Sequence, residues 1–319
     1  MAGAKQHTTP RCLLRGFADD GLIVKFDLRS GRAYRPQPIK EVGYHRHIYT
    51  VTDYATGERS SSAIDDWIWF LEDAAAPVLQ RFREGEANLE DAELGALANF
   101  VALQLYRVPA ARALWQENEA SLDRLRPYVD GLPPAFRGHD GANAKMSLLV
   151  DQAWPVILRR FAVQVMRFEE PYLLLTSDVP VVLVPDPRRG SLVSVKTART
   201  IAFGVGHQTA LIYTEYRPGV AHQVVVDGTR EFAQALNQLV VQQSQRQVFW
   251  HPSATVDELV GSGFEFPDYR NRVAPASVDT HAEKIARWAK WTTENPDLAA
   301  QQAHPVLPSR SMPAASNDG

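Results

Sequence analysis

The sequence predicts an α+β protein: a β-rich N-terminal segment, a central helical layer, and a mostly antiparallel C-terminal sheet with packed helices. Three observations carry this reading. Short β-branched runs set off by Gly and polar turns occupy the first 60 residues. From Ser62 the apolar period becomes helical, with Ile64, Trp67, Ile68, Leu71, Ala75, Val78 and Phe82 on one face. After residue 160 strand patterns return, centred on Tyr172–Val184, where two apolar runs flank Thr176-Ser177-Asp178 between Pro171 and Pro185. The organisation expected is 1–61 β-rich, 62–128 helical and 142–295 sheet with helices, all one integrated domain, followed by a disordered tail over 296–319.

Composition bounds the function. The 319 residues are 45% hydrophobic and 22% charged, ordinary for a globular chain with a sizeable core. A net charge of −3 gives no global attraction to nucleic acid or to an anionic membrane. One cysteine, Cys12, excludes an intramolecular disulfide and a cysteine-based metal cluster. The start, Met1 to His7, lacks the apolar core of a signal peptide, and no window holds 18 uninterrupted apolar residues. A cytoplasmic protein with no membrane partner is expected.

Element by element, Leu22–Phe26 reads as a strand and Tyr44–Val51 as a weaker one. Ser62 is placed as N-cap of the first long helix, with Pro77 expected to kink or divide it. Asn88-Leu-Glu-Asp91 opens a second helix with the stripe Leu94, Leu97, Ala98, Val101 and Leu105, ending near Pro109. Gln104 falls at the edge of that stripe and Arg107 farther round. A third helix is expected over 110–125, then a loop marked by Pro127, Gly131, Pro133, Pro134, Gly138 and Gly141. Ala144–Arg160 reads as a helix kinked at Pro155, Phe161–Phe168 as a strand, and Glu169-Glu-Pro171 as a turn. Thr200–Val205 and Gln208–Tyr216 form a hairpin around Gly206-His207, and Val224–Val226 is another strand. A helix from Thr229 to about Gln245 shows Phe232, Leu236, Leu239 and Val240 on one face, Val248–Trp250 returns as a strand, and Thr280–Thr293 closes as a helix.

The opening His7-Thr-Thr-Pro10-Arg-Cys-Leu-Leu14-Arg-Gly-Phe17 resembles the His-x-x-Pro-x-x-Tyr-Leu-x-x-Phe start of domain-of-unknown-function family 4238, a mostly bacterial group. Leu103-Gln104-Leu-Tyr-Arg107-Val-Pro109-Ala-Ala-Arg112 is similar to its Leu-Gln-x-x-Arg-x-Pro-x-x-Arg helix end. Trp154, Ser177-Asp178-Val179-Pro180 and Asn237 match further positions, the second set against Ser-Asp-Asn-Pro. The usual tyrosine is missing from Cys12-Leu13-Leu14, and Val179 stands for an asparagine. The resemblance spans about residues 5 to 250. It implies positions that matter but no reaction, and leaves the cofactor unknown.

Those positions have complementary chemistry. Arg107 offers a fork for phosphate, and His7 and Asp178 are the acid/base candidates. Gln104, Arg107, Ser177 and Asn237 are the candidate ligand contacts. If they converge, a phosphate-bearing small molecule or nucleic acid and a hydrolytic reaction fit; we expect His7, Gln104, Arg107 and Asp178 to meet. The competing reading is a non-catalytic sensor or interaction module. In it Asp178 makes an Asx turn, Arg107 caps a helix end, and His7 ties down the arm. The sequence leaves open whether the chain is an enzyme. Other motifs add little. His45-Arg-His47 lacks a carboxylate to complete a metal site, so none is expected. Gly204-Val-Gly206 has no following helix and reads as a hairpin turn. Ser60-Ser-Ser62 reads as linker and cap, and Cys12 as a packed thiol. Trp67, Trp69 and Phe70 read as core plus one partly exposed ring.

Overall fold

The computed structural model describes residues 5–52, 56–60, 62–109, 111–112, 138–170, 173–186, 194–216 and 224–267. Most of the expected third helix, its following loop to residue 137, Pro171, the Thr280–Thr293 helix and the tail lie outside them. Everything described falls within the unit Met1–Arg272.

Two five-stranded sheets form the frame. The first has the order β3 (Arg32–Ala33), β2 (Leu22–Asp27), β14 (Gln247–Trp250), β9 (Leu175–Ser177), with β4 (Gln37–Pro38) also pairing β2. The second runs β10 (Val182–Pro185), β11 (Ala198–Gly206), β12 (Thr209–Glu215), β8 (Phe161–Arg167), β13 (Val224–Asp227). All these pairings are antiparallel except β8 with β13. The N-terminal segment is therefore no separate domain, since β2 pairs with β14 some 220 residues later. The fold is α+β.

The Tyr172–Val184 stretch contributes a strand to each sheet. β9 pairs with β14 and β10 with β11, so Asp178 lies where the chain passes from one sheet to the other. A polar interruption between two buried strands marks a change of sheet.

The helices differ from expectation in instructive ways. Helix α2 (Ser62–Glu84) continues through Pro77. Pro77 and Asp73, whose carbonyl loses its partner, both lie on the exposed face, where water can satisfy that carbonyl. Helix α3 (Asp91–Tyr106) is capped not by Asn88 but by Glu90, in a reciprocal capping box with Glu93. Its consecutive buried residues Phe100 to Gln104 show that it is enclosed on nearly all sides, packed between α2 and α4 (Gly138–Arg160). Helix α4 begins at Gly138, where a loop was expected, and runs through Pro155. The roughly 1 kcal/mol that each glycine costs a helix is outweighed by packing of Ala142, Met146, Val150, Ala153 and Ile157 in the core.

Helix α5 (Arg230–Gln243) is capped by Thr229, whose Oγ1 accepts from Phe232 N at 3.2 Å. Its inner face is Ala233, Leu236, Asn237, Val240 and Val241, while Phe232 and Leu239 are exposed, unlike the expected stripe. The expected strand Tyr44–Val51 breaks into β5 (Tyr44–Arg46) and β6 (Val51–Thr52), which pairs with β7 (Arg59–Ser60). His47 stands outside β5 in a left-handed conformation (φ 57°), so His45 and His47 do not share a strand face. Trp69 and Phe70 are both largely exposed, at 64% and 66%, so the aromatic cluster has two solvent-facing rings instead of one. No helix among the described residues is long and apolar enough to cross a membrane.

Candidate functional site

Two groups of buried polar residues emerge. The first braces the edge of the first sheet. Asp178 accepts from three successive backbone amides, Gln245 and Arg246 at 3.0 and 2.8 Å and Gln247 at 3.2 Å. Its own N–H donates to the Gln247 carbonyl at 2.9 Å. The carboxylate therefore fixes the turn between α5 and β14 against the end of β9. Burial pushes its pKa up to about 6, and the three amides only partly offset this. Ser177 Oγ accepts from Val179 N at 3.0 Å, closing the local turn. Asn237 is fully engaged. Its Oδ1 accepts from Leu175 N at 3.1 Å, and its Nδ2 donates to the carbonyls of Leu173 and Leu259, both at 2.7 Å. It ties α5 to β9 and to the short helix α6 (Val256–Val260).

The second group gathers where the N-terminal arm meets the end of α3. Strand β1 (Lys5–His7) pairs with β5, and Gln6 fastens it further. Gln6 Oε1 accepts from Tyr49 N at 2.8 Å, and its Nε2 donates to the Asp65 carboxylate at 2.9 and 3.1 Å. Arg107 is fully enclosed. It ion-pairs with Glu72, donates through Nη2 to the His7 carbonyl, and through Nε to Tyr49 Oη at 3.2 Å. Burial works against the Arg107 charge, but Tyr49 and the Glu72 carboxylate outweigh it and hold its pKa above the ordinary value.

Arg112 is the second buried guanidinium here, only 4% exposed. Its Nη1 donates to Asn143 Oδ1 at 2.7 Å, and it has no ion pair among the described residues. Burial lowers its pKa, with Tyr49 opposing. Four polar atoms of this group are buried without a hydrogen-bond partner among the described residues: Arg112 Nη2, both ends of the Gln104 amide, and His7 Nε2. Gln104 lies one turn before Arg107 on α3 and is completely enclosed, not at the stripe's edge. Burial lowers the His7 pKa, with the Arg11 and Arg107 guanidiniums adding to it.

Arg107 and Asp178, expected to meet, make no direct ion pair with each other. Arg107 finds Glu72, and Asp178 finds backbone amides. The arm does reach β9, since Thr9 Oγ1 donates to the Ser177 carbonyl at 3.4 Å. His7, Gln104 and Arg107 share one end of α3, whereas Ser177, Asp178 and Asn237 serve the sheet edge. Tyr49, Glu72, Arg112 and Asn143 escaped the sequence reading as site residues. Arg112 had a signal, because it closes the Gln-x-x-Arg-x-Pro-x-x-Arg segment; Glu72, Tyr49 and Asn143 had none beyond polarity in apolar surroundings. Among the described residues no group of three or more His, Cys, Asp or Glu side chains is placed to hold a metal ion.

An α+β frame with polar residues collected at the N-terminal arm, the end of α3 and the sheet edge defines the class of this protein. The sequence model of the family described as "Protein of unknown function (DUF4238)" matches residues 5–254, and the chain belongs to that family. No curated protein and no solved structure matches it.

Proposed function

We propose that this chain is a cytoplasmic protein that binds a phosphate-bearing ligand, a nucleotide or a nucleic-acid end, at the arm–α3 centre. The observation that carries the reading is Arg112 together with Gln104: a buried guanidinium with one open edge and, one turn before Arg107, a buried amide with no partner among the described residues at either end. Unmet buried polar groups cost about 1–3 kcal/mol each, so a centre with four of them has a reason to be kept. Two guanidiniums share it with two carboxylates: Glu72 pairs with Arg107, and Asp65 accepts from the neutral amide of Gln6, so Arg112 is left without an ion pair among the described residues and is the group that offers itself to an anion.

Binding is favoured over hydrolysis because Asp178, the acid/base candidate, is held by three amides at the sheet edge. His7 Nε2 is the one proton acceptor left open at the centre, and it supplies the second reading, a hydrolase using His7 as base. A calorimetric titration of the full chain with nucleoside mono-, di- and triphosphates and a short single-stranded oligonucleotide tests both. We expect saturable binding by one of these, weakened about tenfold or more in Arg112→Gln, with no release of inorganic phosphate. Phosphate release abolished by His7→Gln would establish the hydrolase instead. No binding by any of them would overturn both.

A further inference from the structure

We propose a second anion site, independent of the first, in the cavity between the β11–β12 hairpin and the N-terminal helical turn, with a phosphate group as its ligand. The cavity measures about 230 Å³ and is walled by Arg15, Gln80, Arg83, His207, Gln208 and Thr209 over a floor of Gly16 and Gly206. That is smaller than the roughly 300–1,000 Å³ of sites for drug-sized molecules, and it suits a phosphate or a small phosphomonoester.

Arg83 gives the cavity its sign. The side chain crosses from α2 to the hairpin, donating through Nε to the Val205 carbonyl at 2.6 Å and through Nη2 to the Cys12 carbonyl at 2.7 Å. Its remaining nitrogen, Nη1, lies 3.5 Å from Gln80 Oε1, a weak contact that an anion would replace. Every acceptor it meets is neutral; among the described residues no carboxylate forms an ion pair with it. Burial, with Arg15 adding to it, lowers its pKa to about 10. Arg15 stands exposed at the rim and adds a second guanidinium. Two carboxylates stand one residue behind the walls and not in them: Glu84 accepts from Gln80 Nε2 at 2.6 Å, and Asp19 acts on His251, whose ring lies 5.0 Å from that of His207.

The walls are held in place beforehand, which lowers the ordering cost of binding. His207 N donates to the Gly16 carbonyl at 2.8 Å, the His207 carbonyl accepts from Leu174 N at 3.1 Å, and the Gln208 carbonyl accepts from Phe168 N at 3.1 Å. The floor requires glycine at position 16 and is tight at Gly206. A Cβ on Gly16 would stand 2.6 Å from Arg83 Nε and 2.8 Å from Gly206 Cα. This site is set apart from the arm–α3 centre because Glu72 and Arg83 are eleven residues apart on α2, roughly 16 Å along the axis.

The test is melting of the full chain across an inorganic phosphate series, with sodium chloride at matched ionic strength, in the native protein, Arg15→Glu, Arg112→Gln and the two combined. Arg15 is exposed and makes no framework contact like those of Arg83, so its variant should fold. We expect a saturable rise in melting temperature with phosphate and none with chloride. The rise should persist in Arg112→Gln, which removes the open guanidinium of the arm–α3 centre, and adding Arg15→Glu in that background should weaken the apparent affinity about tenfold or more. A response that follows ionic strength alone, or one that survives Arg15→Glu in the Arg112→Gln background, overturns the second site. Loss in Arg112→Gln with retention in Arg15→Glu assigns phosphate to the arm–α3 centre alone.

Discussion

The sheet edge around Asp178 and Asn237 and the arm–α3 centre around Gln104 and Arg112 are built from the same kind of residue, yet their accounts with the backbone differ. At the edge every polar atom of Asn237 has its partner, and Asp178 gathers three amides. At the centre Gln104 has none, and Arg112 keeps an open nitrogen. Buried polarity alone therefore does not mark a functional site. What separates framework from candidate site is whether the protein itself completes the hydrogen bonds.

The largest effect expected is from Asn237→Ala, which strands Leu175 N and the carbonyls of Leu173 and Leu259. At about 1–3 kcal/mol for each buried group, chemical denaturation should register a loss of about 3–5 kcal/mol. A loss under about 1 kcal/mol would mean that the edge is no framework.

Asp178→Asn comes next, because an amide cannot accept from three N–H groups as a carboxylate does. A loss of about 2–3 kcal/mol at pH 7 is expected. The variant also has a pH signature. Asp178 has a folded pKa of about 6, above its ordinary 3.8, so the native state holds this proton more tightly than the unfolded chain. Its contribution to stability is present below about pH 4, falls as pH rises toward 6, and levels off above. His7 and His207, with lowered pKa values, contribute the opposite slope to both proteins, so the difference between the two pH profiles isolates Asp178. A difference that is flat between pH 4 and 7 would show that burial does not raise this carboxyl.

Ser177→Ala removes one acceptor, that for Val179 N, and should cost about 1 kcal/mol by the same denaturation assay. Gln104→Leu sharpens the contrast through its sign. Replacing an unpartnered buried amide with an apolar side chain of similar size should leave stability unchanged or raise it by up to about 1 kcal/mol. Ligand binding should fall. A loss of about 2 kcal/mol or more would show that Gln104 belongs to the framework as Asn237 does.

The sequence by itself determined the fold class, because period and punctuation are local properties. The helical stripe from Ser62, the hairpin at Gly206-His207 and the β-branched runs of β2, β8 and β12 each required only neighbouring residues to be read. It also determined which polar residues to watch, through the His7, Gln104–Arg107 and Ser177–Asp178 segments. Tertiary structure decided everything that depended on which groups meet. That Tyr172–Val184 divides between two sheets follows from pairing with β14 and β11, both distant in sequence. That α3 is enclosed, Gln104 near its C-terminal end included, follows from its packing against α2 and α4. The partner of Arg107 turned out to be Glu72, 35 residues earlier, and those of Asp178 turned out to be backbone amides, a class of group that no side-chain motif records. Hydrogen-bond partnership is a property of three-dimensional neighbours, and in a buried site it sets which polar residues hold the chain together and which stay open to a ligand.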